Sequence, residues 1–387
     1  MAGPVETIEP TAAEHLAGME AYVHEGKRRA LDLGNRGPLR FDGNGMLHPE
    51  ILDAYRHHGF YVLEGVIDAS ELGELRDGIA NMLQRAPASP GSEVDARGRR
   101  ALGLEFARDT YIWVAPLSDP VGGTTLNGGR HPVKMTEPVP PENAPDDVIY
   151  MMFGMCQTMD AGLRLYGHPQ LLAVVESING ADFTPFNDAI FLKQPGLGGS
   201  VAWHQDGLTH WDSPDWDEGI HGFNFQVQLY PSTLGNCLWV VPGTHKLGKV
   251  DVKAMVAANH GSEQLSEAVP LFCEAGDVTI TNRQALHGSF ANTSLDRRVS
   301  LTFGFHRRSS VLGAKGVLGS GKEVVYDEAR IHERASLIAV AIDARQQHYP
   351  DEPRYTYQPF AGLEEEFRWN AQTRESIKDY NLKDLGI

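Results

Sequence analysis

The sequence predicts a β-rich core, an antiparallel sandwich or barrel, with helices before it and a helical extension after it. Two observations carry this reading. From Asn179 onward, short runs of β-favouring residues alternate with Gly, Pro and Asn turn signals. On either side of that stretch apolar residues recur at helical spacing instead. A chain of 387 residues is long enough to bury a large core, and 41% hydrophobic with 22% charged content is ordinary globular usage.

Taken in order, residues 1–46 show weak periodicity and read as an arm or irregular helix. Residues 49–57 read as a short helix stopped by Gly59, and 60–63 as a strand. Asp68 is placed to cap a helix, with Glu71 completing a capping box. Leu72, Leu75, Ile79 and Leu83 continue that helix to about Arg85. Residues 86–147 are rich in Pro and Gly and include Tyr111 and Trp113. So long an irregular stretch inside a compact domain is a lid or binding loop, or else disordered. Residues 151–165 and 168–178 read as two helices split by Gly167 and Pro169. Strands are expected at 189–192, 223–230, 238–241, 278–281 and 299–305, and a helix at 328–347. The resulting division is an arm (1–46), a main unit (47–310) and an extension (311–387) packed on the β core. Within the main unit a helical lead-in (47–180) precedes the barrel (181–310).

The net charge of −17 weighs against a nucleic-acid partner, since binding a polyphosphate depends on Lys and Arg displacing counterions. No apolar run approaches the roughly 20 residues of a bilayer-spanning helix, so no membrane partner is expected. The acidic, polar start lacks signal-peptide features, and a cytoplasmic location is expected. Cys156, Cys237 and Cys273 are scattered without zinc spacing and read as buried or half-buried thiols. Oligomeric state leaves no trace in the sequence.

The chemistry centres on Trp203-His204-Gln205-Asp206-Gly207. On an extended segment residues two apart point the same way, so His204 and Asp206 present an imidazole and a carboxylate to one point. His287 follows an expected strand and joins them if the sheet folds back on itself. Two imidazoles and one carboxylate on one face of an octahedral metal leave three positions open, the arrangement of non-heme Fe(II) oxygenases. A His-x-Asp pair is weak evidence in a chain with 16 histidines. Arg298, in the next β-rich run, strengthens it: a buried guanidinium offers a fork that matches a carboxylate, such as the far end of 2-oxoglutarate. Arg297 competes for that role. Strand alternation puts Arg298, Ser300 and Thr302 on one face and Arg297, Val299 and Leu301 on the other, and the polar face favours Arg298.

Several blocks together resemble the phytanoyl-CoA dioxygenase family of Fe(II)- and 2-oxoglutarate-dependent oxygenases. They are Tyr55-Arg56-His57-His58-Gly59-Phe60-Tyr61-Val62, His168-Pro169-Gln170-Leu171-Leu172 and Trp203-His204-Gln205-Asp206. The closing blocks run from Asn236 through Pro242-Gly243-Thr244-His245-Lys246, then Gly276-Asp277, His287-Gly288-Ser289 and Arg298. They cover about residues 47 to 307. Asn236 and Thr244 depart from the family's usual Gly and Ser. The resemblance implies a double-stranded β-helix, a cupin-like jelly-roll barrel, with iron at its mouth. It implies His204, Asp206 and His287 as catalytic metal ligands, Arg298 as the 2-oxoglutarate clamp, Ser289 as a second contact to that carboxylate, and Lys193 as a further candidate. The cofactor set is Fe(II), 2-oxoglutarate and O2. The implied reaction releases succinate and CO2 while a C–H bond of a small metabolite or natural-product intermediate is hydroxylated. Halogenating relatives replace the ligand carboxylate, so Asp206 favours hydroxylation. The lack of a basic patch disfavours a CoA thioester. The alternatives are another mononuclear metal enzyme on a cupin barrel that does not use 2-oxoglutarate, and a silent barrel serving as a binding module.

Other candidates have a plainer reading beside the functional one. His210, His221, His245 and His306 are expected as hydrogen-bonded or surface histidines. The 208–222 loop, with Trp211, Asp212, Asp215, Trp216 and Asp217, is either a lid over the substrate, with Trp211 a candidate substrate contact, or a solvated turn over packed aromatics. In 223–230 Asn224, Gln226, Gln228 and Tyr230 share one face. Pointed inward, that face makes Asn224 and Gln226 substrate contacts; pointed outward, it is a half-exposed strand.

Overall fold

The computed structural model of the chain describes residues 9–208, 211–214, 217, 219–317 and 322–383. It is a sheet-rich fold with helices. Twelve strands form its two main sheets: β1 (Arg36–Pro38), β2 (Phe60–Glu64), β3 (Tyr111–Val114), β4 (Val148–Met152), β5 (Phe183–Lys193), β6 (Val201–His204), β7 (Phe223–Gln228), β8 (Leu238–Val240), β9 (Val269–Leu271), β10 (Val278–Asn282), β11 (His287–Ser289) and β12 (Arg298–Arg307). The larger sheet runs β1-β2-β10-β7-β12-β5-β4-β3, and the smaller runs β6-β11-β8-β9. Among the strand pairs of these two sheets in the described residues, only β1–β2 is parallel. No helix among the described residues is long and apolar enough to cross a membrane.

Alternation along the strands sorts the larger sheet into two unlike faces. Phe225, Val227, Leu301, Phe303 and Phe305 form one apolar face, packed against helices Ala69–Gln84, Asp160–Tyr166, Pro169–Asn179 and Glu328–His348 in a single core. The opposite face carries Asn224, Gln226, Arg298 and Thr302 and looks into a cavity shared with the smaller sheet. Full burial of each large apolar side chain contributes about 1.5–3 kcal/mol, so the helix-covered face holds the sheet while the polar face is left to the site.

The first helix, Ala12–Leu33, is regular, where the sequence reading expects an arm or irregular helix. Thr11 and Glu14 form a reciprocal capping box, and Gly34 closes the far end. Few of its residues are buried, which accounts for the weak periodicity. It nevertheless lies across the smaller sheet, with Tyr22 stacked on Trp239 at 4.5 Å between ring centroids.

Two further expectations are corrected. Residues 151 and 152 belong to β4, where Met151 and Met152 pair with Phe191 and Ile190 of β5, and the helical stretch that follows is broken into Met155–Thr158 and Asp160–Tyr166. Asp68 does accept from the Glu71 N–H at 2.9 Å. The Glu71 carboxylate, however, turns away to the buried Arg345 guanidinium at 2.7 and 3.1 Å, so a long-range ion pair displaces the second half of the capping box. The 86–147 stretch holds β3 and is otherwise mostly irregular, with residues between Arg108 and His131 lining the cavity. The polar, aromatic tail is built in through Tyr357, Phe360, Ile377 and Tyr380, all buried in the main core.

Gly26 is the point of closest approach between the first helix and the smaller sheet. A Cβ there would sit 2.5 Å from the Trp239 indole. Because that ring is buried, Gly26→Ala is expected to lower unfolding free energy by ~1–3 kcal/mol, the usual cost of overpacking. Urea denaturation followed by Trp fluorescence measures it, and an unchanged midpoint would mean that the helix is not seated on the sheet.

Candidate metal centre

Strands β6 and β11 are antiparallel neighbours in which His204 and His287 lie directly opposite each other. Their ring centroids are 4.2 Å apart. Each imidazole is oriented in the same way: Nδ1 of His204 lies 2.8 Å from the Ala202 carbonyl, and Nδ1 of His287 lies 2.8 Å from the Ala285 carbonyl. A proton on Nδ1 satisfies that carbonyl and leaves the Nε2 lone pair for a ligand, the arrangement that metal-binding histidines use. Both Nε2 atoms face Asp206, at 3.5 Å from Oδ1 and 3.9 Å from Oδ2.

Asp206 sits just beyond the end of β6, its N–H donating to the Arg283 carbonyl at 2.7 Å. Gly207 turns the chain there with φ +97°, and a Cβ would lie 1.8 Å from Nδ1 of His221, so the turn requires glycine. The three donor atoms all lie within 4.8 Å of one another, and all three residues are buried. This donor set and spacing fit a divalent metal such as Fe(II), with one face of the ion left open.

The charges around Asp206 are arranged to keep it ionised. Burial by itself raises its carboxyl pKa, but Arg130, the His204 contact, Arg283 and His287 outweigh this and hold it well below the usual carboxylate range. Arg130 approaches Oδ1 at 3.1 Å, and Asn224 donates to Oδ2 at 3.0 Å. Burial, reinforced by His204, pushes His287 down to about 4, so the ring is neutral and ligand-competent at physiological pH. His131 stacks on His204 at 4.2 Å and is pushed lower still, first by burial.

Arg298 opens β12 opposite Lys193 of β5. Its guanidinium donates to the Asn236 carbonyl and to Oε1 of Gln226, both at 3.2 Å. Its Nε and the Ser289 hydroxyl are buried, make no hydrogen bond among the described residues, and belong to residues lining the same cavity as the triad. Arg297 is exposed, over the Tyr230 ring. Lys193 lines the cavity too, but its amine is committed to the Gly199 and Phe290 carbonyls, and burial holds its pKa well below the usual range. Gln226 and Asn224 face inward as one of the two strand readings expects. Their amides serve Arg298 and Asp206.

The cavity measures about 590 Å³. The triad, Arg298 and Ser289 make one part of its lining polar. Ile112, Trp113, Val121, Tyr150, Phe153 and Phe191 give it an apolar wall, which Arg108 and Arg130 interrupt. Trp211 lies apart from this lining, its ring tilted against that of His221 at 4.3 Å between centroids. Of the same loop, Asp217 pairs with Arg307 at 3.4 Å and Asp212 is exposed, while His210, Asp215 and Trp216 lie outside the described residues. His245 packs under Gly59 and contacts the Arg56 carbonyl at 3.0 Å, and His306 is buried 3.4 Å from Arg283. The three cysteines are buried and unpaired with one another.

Sequence reasoning missed Arg130, His131 and Arg283. The first two stand in Gly128-Gly129-Arg130-His131-Pro132, a basic pair fenced by turn residues inside a long irregular stretch, which was a usable signal.

Residues 155–300 match the phytanoyl-CoA dioxygenase (PhyH) family model. The chain is 32% identical over 117 residues to "Phytanoyl-CoA dioxygenase 1" of Oryza sativa subsp. japonica, a match covering 28% of this chain and 40% of that protein. It is 28% identical over 137 residues to "Dioxygenase lolE1" of Epichloe uncinata, covering 35% of this chain and 50% of that protein. The matched segments thus span half or less of these curated relatives. Among solved structures, EctD from S. alaskensis, crystallised with 2-oxoglutarate and 5-hydroxyectoine, is 18% identical with a TM-score of 0.48, covering 72% of this chain and 82% of that one.

Asn224 orients Asp206 without itself being one of the three donors, and loss of such a partner typically weakens a metal site 10–100-fold. Asn224→Ala is therefore expected to weaken Mn(II) binding by at least ~10-fold while leaving the fold intact, and His287→Ala to abolish it. Mn(II) titration by electron paramagnetic resonance, with circular dichroism on the same samples, reads both. Full-affinity binding by His287→Ala would place the metal elsewhere.

Proposed function

We propose, taking the phytanoyl-CoA dioxygenase family match over residues 155–300 as the premise, that this chain is an Fe(II)- and 2-oxoglutarate-dependent oxygenase acting on a small molecule. The observation that carries the reading is one cavity with two complementary ends. On one side His204, Asp206 and His287 offer three donors to a metal. On another, the buried Arg298 offers an unpaired Nε, with the unpaired Ser289 hydroxyl lining the same space.

In this reading His204, Asp206 and His287 hold Fe(II), and Arg298 and Ser289 hold the distal carboxylate of 2-oxoglutarate. When bound, the metal and co-substrate supply O2-dependent oxidation, with 2-oxoglutarate leaving as succinate and CO2. The chain's own residues orient and exclude. The Ala202 and Ala285 carbonyls fix the imidazole tautomers, and Asn224 fixes one carboxylate oxygen. Gln226 aims the Arg298 guanidinium, so its main effect falls on the co-substrate. The apolar wall from β3, β4 and β5 keeps water off the reacting C–H bond. Asp206 occupies a coordination position with a carboxylate, which favours hydroxylation over halogenation. The oxygenase unit is taken as residues 47–310, on a double-stranded β-helix built from the two sheets.

Hydrogen bonds to a charged group contribute about 1.5–3 kcal/mol, or roughly 10- to 150-fold in affinity. Arg298→Ala is expected to raise the KM for 2-oxoglutarate at least ~10-fold, and Gln226→Ala to raise it several-fold. The assay is succinate release from 2-oxoglutarate under air with added Fe(II), with and without chelator. Chelator should abolish it. Succinate release that persists in chelator, or an Arg298→Ala variant with unchanged KM, would defeat the assignment.

A further inference from the structure

We infer that the substrate of this site bears a carboxylate on a largely apolar body, and that Arg130 is the residue that reads it. The inference rests on the oxygenase reading and deepens it by naming the substrate class. The chain carries a net charge of −17, yet its cavity reverses that sign. Among the described residues, the lining holds the cations Arg108, Arg130, Lys193 and Arg298 against two acids, Asp188 and Asp206.

Most of these charges are already accounted for. Asp188 is surrounded by donors, from the Gly154 and Cys156 N–H groups, the Tyr380 hydroxyl and the Asn381 amide, and has nothing left for a ligand. Lys193 is committed to two backbone carbonyls. With the site loaded, the charges of a divalent metal, Asp206, dianionic 2-oxoglutarate and Arg298 cancel. Arg283 lies behind Asp206, flat on the Phe186 ring, and does not line the cavity. Of Arg130 and Arg108, the lining cations outside that balance, Arg130 remains on the cavity wall as positive charge facing whatever else binds there.

Arg130 is the better placed of the two. Arg108 lies over the Phe153 ring at 3.6 Å. Arg130 reaches Asp206 with one terminal nitrogen at 3.1 Å, while its Nε is buried and makes no hydrogen bond among the described residues. The Nε edge is one of the two edges of a guanidinium that take a carboxylate through parallel hydrogen bonds. Nearby, Trp113, Val121 and Leu126 line the wall with apolar surface for the rest of the molecule. Since Arg130 also touches a metal-ligating carboxylate, the substrate's anionic end and its oxidised C–H bond lie close together.

Isothermal titration of the full chain, loaded with Mn(II) and saturating 2-oxoglutarate, tests this with three probes of one shape: naphthalene-2-carboxylate, its neutral carboxamide and the cationic 2-aminomethylnaphthalene. The carboxylate is expected to bind at least 10-fold tighter than the carboxamide, and the amine weakest. Arg130→Gln should shrink the carboxylate advantage below threefold, with Arg130→Lys retaining part of it and Arg108→Gln most of it. Equal binding of the three probes, no binding of any, or a full carboxylate preference in Arg130→Gln overturns the inference. Mn(II) stoichiometry measured on the same samples separates the two readings. Failure to bind Mn(II) and 2-oxoglutarate at all sinks the oxygenase assignment, whereas a loaded site without charge preference sinks only the role of Arg130.

Discussion

Strand β6 lies beside β11 with His204 facing His287, and nearly every feature of the site depends on that pairing. Side chains alternate along a strand with period two, so a register slip of one residue would turn one imidazole to the opposite face of the sheet. That face is occupied: Trp203, Trp239 and Phe290 fill it with Met19 and Tyr22 of the first helix. The aromatic packing behind the sheet and the imidazole pair in front of it therefore enforce the same register. Trp203 and His204 are adjacent residues serving opposite faces, and neither can move without the other.

The larger sheet solves a related problem on the other side of the cavity. Its outer face is largely apolar and gripped by helices, so its inner face can carry groups that contribute little to holding the fold together. Burying Arg298, Gln226 and Asn224 there is costly unless each finds a partner. They find one another and Asp206: Gln226 accepts from Arg298, and Asn224 donates to Asp206. One alternating strand, β7, thus orients both the Asp206 carboxylate and the Arg298 guanidinium, which couples the two ends of the cavity mechanically. A strand offers such coupling at a fixed spacing, which a flexible loop cannot.

Much of this was legible in the sequence where the signal is local. Arg298 was separable from Arg297 because only one of two adjacent residues shares a face with Ser300 and Thr302. Asp68 was readable as a cap because the capping bond spans three residues. The failures have equally physical causes. The first helix hides its order because it buries only a thin stripe. Met151 and Met152 read as helical, since apolar residues suit either element and only the neighbouring strands decide. Glu71 was expected to fold back on its own helix, and a buried arginine 274 positions away claimed it instead. Trp211, a substrate candidate by its nearness to the ligands in sequence, packs against His221 away from the cavity.

The sequence by itself determined the chemical inventory: an imidazole and a carboxylate two residues apart, a second imidazole, an arginine on a polar strand face, and the alternation that tells each strand which side is dry. All of these act over a few residues, where periodicity and capping leave a readable trace. Only the tertiary structure decided which residues converge on Asp206. Arg130, Asn224 and Arg283 come from three separate segments, and contacts across such separations follow from how the sheets stack and the long loop winds, which no local pattern encodes.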